Sequence, residues 1–409
     1  MKAKYFVFIL FTLFLLSQVS WAQLESPLLG GSRAYSMGGV YTATNYGAEA
    51  LLGNPGGLGL LSQAQVIIGG RMTVLGTSSM EEDYYKDIQN YKNYEYKYGI
   101  NPKFLNAGVA FPINLANFKN KLVGAVGYRT FYDFASKVNI EGTDSFDAKF
   151  EETDKIKGLI NVLSFGFGTS FSDNLSFGVS YNIPMLSGYK FESEATVKSA
   201  YATNKYEKES EYDVAGTHFM QLGCIAQLTN NLSLGIAYLT SHKYKLEEGK
   251  TTEKTDGQIT YESDLADERW EFPSRYSIGI AYRMGSDLLL AAEYQNRPWE
   301  DVEIDGDELY YLESGGSYRI GFEYGSGLLI RGGFLSERIP DFDVDEDPVN
   351  VNSLTGGVGY KTGNIVIDLG AAYTFKAFDY VMASSKYYEY QYRHLVVFAN
   401  VLYAMNFSL

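Results

Sequence analysis

Histidine and cysteine are the side chains best suited to metal ligation and nucleophilic chemistry, and this chain has only His218, His242, His394 and Cys224. They are scattered, without the short spacings that let two ligands share an ion, so no metal site is expected on them. No nucleophile stands beside a base and no pair of acids stands with His or Ser, so the chain reads as a non-enzyme with no cofactor. The acidic runs 341–347 and 301–308 could offer hard oxygens to calcium but follow no calcium-loop pattern. Solvated loop tips are the simpler reading. A single cysteine excludes an intramolecular disulfide.

A second set of charges is more informative. Arg71, Arg129, Arg283, Arg319 and Arg331, with Glu323 and Asp368, alternate with apolar residues and occupy the parity otherwise filled by small polar ones. A guanidinium grips a carboxylate through two parallel hydrogen bonds. Such residues could therefore form an internal ion-pair network or hold the acidic head of a ligand. Both roles need strands whose polar face is enclosed.

The strands are legible. Leu175, Phe177, Val179, Tyr181 and Ile183 share one parity, opposite Ser176, Gly178, Ser180 and Asn182, and the pattern recurs around Ile236, Ile280 and Ile320. Period-two alternation marks a strand with two unlike faces. Tight turns at 172–174, 229–231, 285–287, 325–327 and 361–364, and a looser one at 114–121, join pairs of runs. Between the pairs lie long charged connections, including 78–104, 187–214, 246–268 and 335–351. Short turns and long connections alternate strictly, as they do in outer-membrane barrels. The runs predict fourteen strands, from one beginning near Gln65 to a last beginning near Leu395, with others near Leu105, Gly216 and Trp270. The connection after the first strand shows Ser79 and Glu82 at capping-box spacing, with Tyr84, Ile88, Tyr91 and Tyr94 at helical spacing, which predicts a helix there.

Lys2 and Lys4 precede an apolar run over residues 5–16, and Ser20-Trp21-Ala22 supplies a cleavage site, so residues 1–22 read as a secretory signal peptide. No later stretch is long and apolar enough for a spanning helix, which leaves a closed barrel as the way to cross a membrane. The 35 tyrosines and 25 phenylalanines suit aromatic girdles at two interfaces. The net charge of −15 argues against nucleic acid as a partner.

One stretch does not alternate. Residues 28–61 are apolar and carry glycine at 30, 31, 38, 39, 47, 53, 56, 57 and 59, which suits backbone packed closely on other backbone. The segment reads as a compact plug. Arg33-Ala34-Tyr35-Ser36-Met37-Gly38-Gly39, followed by Asn54-Pro55-Gly56-Gly57-Leu58, resembles the N-terminal hatch of the FadL/TodX family of outer-membrane transporters for long-chain fatty acids and aromatic hydrocarbons. Gly56 stands where that family usually has alanine.

The resemblance implies an all-β fold: a 14-stranded antiparallel transmembrane barrel over residues 65–409, with a hatch over 23–64 inside its lumen. Arg33, Gly38, Gly39, Asn54, Pro55 and Gly56 would form the gate. Arg71, Arg129, Arg283, Arg319 and Arg331 would line the substrate path. The expected function is passive transport of small hydrophobic or amphipathic molecules across the bacterial outer membrane, with periplasmic termini and extracellular long loops. Outer-membrane lipid and the barrel-assembly machinery would be its partners. The sequence also departs from the family, because 187–214 and 246–268 are rich in Lys, Glu, Thr and Tyr and read as strands extending above the membrane. Strand three loses its alternation around 130–135, a candidate irregularity in the wall. The alternative is a plugged barrel that binds exported proteins.

Overall fold

A computed structural model of the chain describes residues 30–83, 93–98, 101–114, 120–133, 136–143, 149–186, 188–198, 203–308, 313–342, 348–382 and 386–405. The expected signal peptide, most of the 341–347 acidic run and the expected helix positions Tyr84, Ile88 and Tyr91 lie outside these residues.

Fourteen antiparallel strands form a ring, each paired with its sequence neighbours. They are β1 (Ala64–Asp83), β2 (Asn101–Ile113), β3 (Leu122–Asp133), β4 (Leu159–Ser172), β5 (Leu175–Leu186), β6 (Phe219–Gln227) and β7 (Leu232–Leu239). The circuit continues with β8 (Arg275–Met284), β9 (Leu288–Arg297), β10 (Gly315–Gly325), β11 (Leu328–Phe342), β12 (Pro348–Thr362), β13 (Ile365–Met382) and β14 (Lys386–Met405). β14 pairs with β1 from Ala64↔Met405 to Asp83↔Tyr387, which closes the ring and leaves it no edge.

The alternation decides which face looks inward. Ile320 is 58% exposed and Phe167 53%, whereas Arg331 is 3% and Asp368 2%. The partition is inverted relative to a soluble sandwich, with greasy residues outside and charges within. That arrangement suits a barrel whose outer wall meets lipid.

Strand starts after tight turns fall where alternation places them, at Leu175, Leu232, Leu288, Leu328 and Ile365. Starts after long connections differ. β14 begins at Lys386 rather than near Leu395, and Trp270 belongs to a strand outside the ring, with β8 starting at Arg275. Pairing continues past the lipid-facing band, where composition no longer alternates. The helix expected after strand one is not formed where it can be seen: residues 79–83 belong to β1 and pair with 387–391, while Tyr94 lies in a strand paired with the same stretch of β1. Ladder hydrogen bonds from a ready-made neighbour outweigh a local capping signal.

Beyond the long-connection end of the ring stands a second, nine-stranded sheet. Its principal members are Lys149–Lys157, Tyr189–Lys198, Thr203–Gly216, His242–Thr255 and Glu268–Phe272. One face carries paired charges such as Lys157–Glu192 and Lys190–Glu209. The other buries His242, Tyr244 and Leu246. Within the charged stretches 187–214 and 246–268, the described residues 189–198, 203–214, 246–255 and 258–264 are strands of this sheet.

Residues 30–59 are buried almost throughout. They contain helix α1 (Ser32–Ser36) and two 3-10 turns, Gly47–Leu52 and Pro55–Leu60. Helix α1 packs on β11 to β14, the first turn on β1 to β3, and the second on β3 to β7. Strands from every side of the ring therefore enclose the segment. Glycines on the inner wall admit its backbone: a methyl group on Gly178 would overlap the Pro55 carbonyl, and one on Gly321 the Met37 carbonyl. Replacing both glycines with leucine is expected to leave a heat-modifiable barrel on gels while raising its conductance in planar bilayers, because the wall still closes but its filling cannot seat.

Candidate functional site

The enclosed segment is held by two charged networks, one on each side of the Gly321 contact. On the short-turn side, Arg33 forks onto Glu323 through Nε at 2.8 Å and Nη2 at 3.0 Å, and its Nη1 donates to the Thr44 carbonyl at 2.7 Å. Arg331 approaches the same carboxylate with Nε at 2.8 Å and donates Nη1 to Asp368 at 2.6 Å. Asn400 donates to Asp368 at 3.1 Å and accepts from the Ser32 backbone at 3.0 Å. One continuous chain of charge-assisted bonds thus links α1 to β10, β11, β13 and β14.

On the other side, Arg319 donates to Glu293 at 2.6 Å and to Gln295 at 3.0 Å. The second oxygen of Glu293 accepts the backbone N–H of Tyr41 at 2.8 Å and of Thr42 at 2.7 Å. Tyr41 meets Ser277 at 2.8 Å and lies under the Arg319 guanidinium. Glu293, Gln295 and Tyr41 were not singled out from the sequence. Glu293 and Gln295 sit on the same inward parity as the flagged arginines, and that signal could have found them.

The residues expected to form a gate are placed as follows. Gly38 and Gly39 adopt φ of +72° and +80°, a conformation that suits glycine, and the Gly38 N–H donates to Thr355 at 2.8 Å. Asn54 accepts from Gly56 N–H at 3.0 Å while its amide donates to Thr42 and Cys224 carbonyls, so it caps the turn and ties it to β6. Pro55 opens that turn. A methyl group on Gly56 would come within 2.8 Å of the Cys224 backbone, which gives a physical reason for glycine here.

Of the five arginines expected along the path, Arg129, Arg319 and Arg331 are buried within the ring. Arg129 donates to the Leu52 carbonyl and lies over Phe131. Arg71 is partly buried on β1. Arg283 has the inward parity but is exposed near the short-turn end of β8, so it belongs to neither network. Parity gives direction across a wall and says nothing of depth along it.

Above the segment, toward the long-connection end, Phe131, Tyr132, Phe219, His242, Tyr244 and Phe272 form one aromatic cluster. Arg275 donates to the Tyr132 hydroxyl at 2.8 Å, and that hydroxyl meets His242 Nε2 at 3.3 Å. The other ring nitrogen of His242 faces the Thr240 carbonyl, so imidazole acts as a satisfied structural group. Among the described residues, no three His, Cys, Asp or Glu converge on a metal position. The arrangement offers apolar contact and hydrogen-bonded enclosure.

A closed ring with lipid-facing strands and an enclosed N-terminal segment defines a plugged transmembrane barrel of the outer-membrane kind. More narrowly, its fourteen-strand fold is that of the FadL/TodX barrels. It aligns with the toluene transporter TodX of P. putida at TM-score 0.60, with 15% identity over 94% of this chain and 100% of that one. A Pseudomonas aeruginosa FadL homologue gives 0.59, with 12% identity over 93% and 99%. The toluene transporter TbuX of Ralstonia pickettii gives 0.56, with 16% identity over 92% and 99%. No protein-family model and no curated protein matches the sequence.

Two tests follow from the networks. Removing one partner of a buried ion pair leaves the other uncompensated, at a cost of about 3 kcal/mol. Arg33→Ala is expected to loosen the segment by that order, read as increased leak conductance, with Glu323→Ala showing a non-additive effect in the double variant. Glu49, on the first 3-10 turn, has its carboxyl lifted to about 7 by burial, which outweighs the attraction of Arg33. Because its value in the folded chain stands above its ordinary one, its contribution is fully present below about 4.5 and is lost as pH rises through 7. Leak is therefore expected to be lower at pH 5 than at pH 8, and Glu49→Gln should flatten that difference.

Proposed function

We propose that this chain is a passive transporter of small hydrophobic or amphipathic molecules through the outer membrane, gated by the N-terminal segment. The observation that carries the reading is the enclosure of residues 30–59 by charged and polar contacts directly beneath an aromatic cluster. A permanent wall would need no such arginine pairs, since apolar packing of the same volume is as stable. In this reading the termini are periplasmic, the second sheet is extracellular, and the hatch spans 23–64. Ligand collects at the aromatic cluster and leaves when the segment shifts or sideways through the wall.

The register of β3 against β4 slips between Thr130 and Tyr132, inside the irregular stretch, and supports the lateral route. The likeness to barrels described as toluene transporters and as a monoaromatic hydrocarbon channel supports an aromatic cargo. A long alkyl chain is less well served, because 187–214 and 246–268 contribute to a charged sheet where a greasy groove would be required. That same sheet supports the second reading, a plugged barrel that binds exported proteins.

Uptake of labelled hydrophobic compounds into liposomes separates the two. Saturable uptake by the intact barrel is expected, with a variant lacking residues 23–61 leaking small hydrophilic solutes. No uptake by the intact form, together with retention of surface proteins on it, would favour the second.

A further inference from the structure

In the second sheet, a carboxylate stands among aromatic rings without a cation to balance it. The strand Glu268–Phe272 pairs with His242–Thr255 in a register that sets Trp270 opposite Tyr244 and Glu268 opposite Leu246. Residues directly opposite share a face, and Tyr244 and Leu246 are buried, so Trp270 and Glu268 point to the same inner side. The Trp270 indole N–H donates to Glu268 Oε2 at 3.1 Å, and Trp270 packs on the aromatic cluster. From the strands Tyr189–Lys198 and Thr203–Gly216, Tyr189 and Tyr212 bring their rings to 6.3 Å of each other. Burial and then the Glu268 charge raise both phenols above their ordinary value, so the carboxylate lies within reach of both.

The bases of this corner lie elsewhere. Lys243, Lys245 and Arg269 take the opposite parity and are held there by Glu271 and Glu247. Among the described residues no cation pairs with Glu268, whose side-chain partner is a neutral indole. Glu268, Trp270, Tyr189 and Tyr212 are only partly buried, so rings and carboxylate remain open to a ligand.

The acidic run 301–308 adjoins this corner. Its hairpin extends the sheet through Trp270↔Ile304 and Glu271↔Glu303. Residues 300–308 contain six acids and no base, which gives the approach a negative potential.

Rings around a single carboxylate suit a cation with an apolar skin. The face of an aromatic ring attracts positive charge, and methylated ammonium groups are held in this way. A hard metal ion needs several oxygens where Glu268 supplies one side chain. A neutral hydrocarbon would cover the carboxylate and leave its charge uncompensated. We propose that Trp270, Tyr189, Tyr212 and Glu268 form a binding site for a small methylated ammonium compound, whose methyl groups meet the rings while Glu268 supplies the counter-charge. The site lies beyond the lipid-facing band and stands whether or not the barrel transports hydrocarbons.

The test is titration calorimetry of the full-length protein in a non-ionic detergent at fixed ionic strength. The probes are choline and its neutral isostere, in which a quaternary carbon replaces the nitrogen. Choline is expected to bind saturably and on the order of tenfold more tightly than the isostere. Glu268→Gln and Tyr212→Leu, each checked for heat-modifiable folding, should remove most of that preference, whereas Tyr212→Phe, which keeps the ring, should retain it. Equal affinity for the two probes, or a preference unchanged in both Glu268→Gln and Tyr212→Leu, would overturn the site. Displacement by calcium or sodium at the concentrations at which choline binds would mean a site for a bare ion, and would overturn it too. Should a variant fail to fold, the comparison of the two probes on the unaltered protein still decides. Uptake of neutral hydrocarbons is expected to be the same in Glu268→Gln as in the unaltered barrel, so loss of this site and loss of transport are read separately.

Discussion

Everything in this molecule depends on closure of the ring between its first and last strands. In lipid, a backbone N–H or C=O without a partner costs several kcal/mol, so a sheet can cross only if it has no edge. The pairing of β1 with β14 supplies the missing partners along nearly the full length of both strands. Once the ring is closed, its inner surface is isolated from lipid and can carry charge. The Arg33–Glu323–Arg331–Asp368 chain exists because that interior is available.

The inner wall then solves a packing problem. A segment with its own backbone polarity cannot rest on a wall of large side chains, so glycine and serine occupy much of the inward parity where it lies. Serines add hydrogen bonds to the carbonyls they face: Ser170 donates to Gly59 and Ser176 to Gly56. Charged networks flank the Gly321 contact on both sides, and aromatic rings lie beyond them toward the long-connection end. The interior is thus graded from a tightly fitted floor to a packed aromatic layer above it.

Much of this was legible in the sequence, for identifiable reasons. Alternation in β5, β7, β8 and β10 is strong because each strand separates lipid from lumen, and tight turns pinned the starting residues of β5 and β7. The glycine spacing of 30–59 marked close backbone approach before its partners were known. Three things were not legible. Arg283 carried the right parity at the wrong depth, which periodicity cannot report. Glu293 and Gln295 looked like ordinary inward polar residues, since their role comes from Tyr41 more than 250 positions away. The continuation of β1 and β14 beyond the membrane band was hidden because no lipid contact imposes alternation there.

The chain order of these parts also constrains how the molecule comes into being. The enclosed segment leads directly into β1, whose seam partner is the last strand to be made, so the seam is a contact of very long sequence separation. Contacts of that kind form late, after shorter loops have closed. The segment therefore spends most of folding tethered to an open sheet, with the floor that will receive it still incomplete. Docking and sealing become a single terminal event, and a chain truncated before residue 386 would lack the strand that completes both.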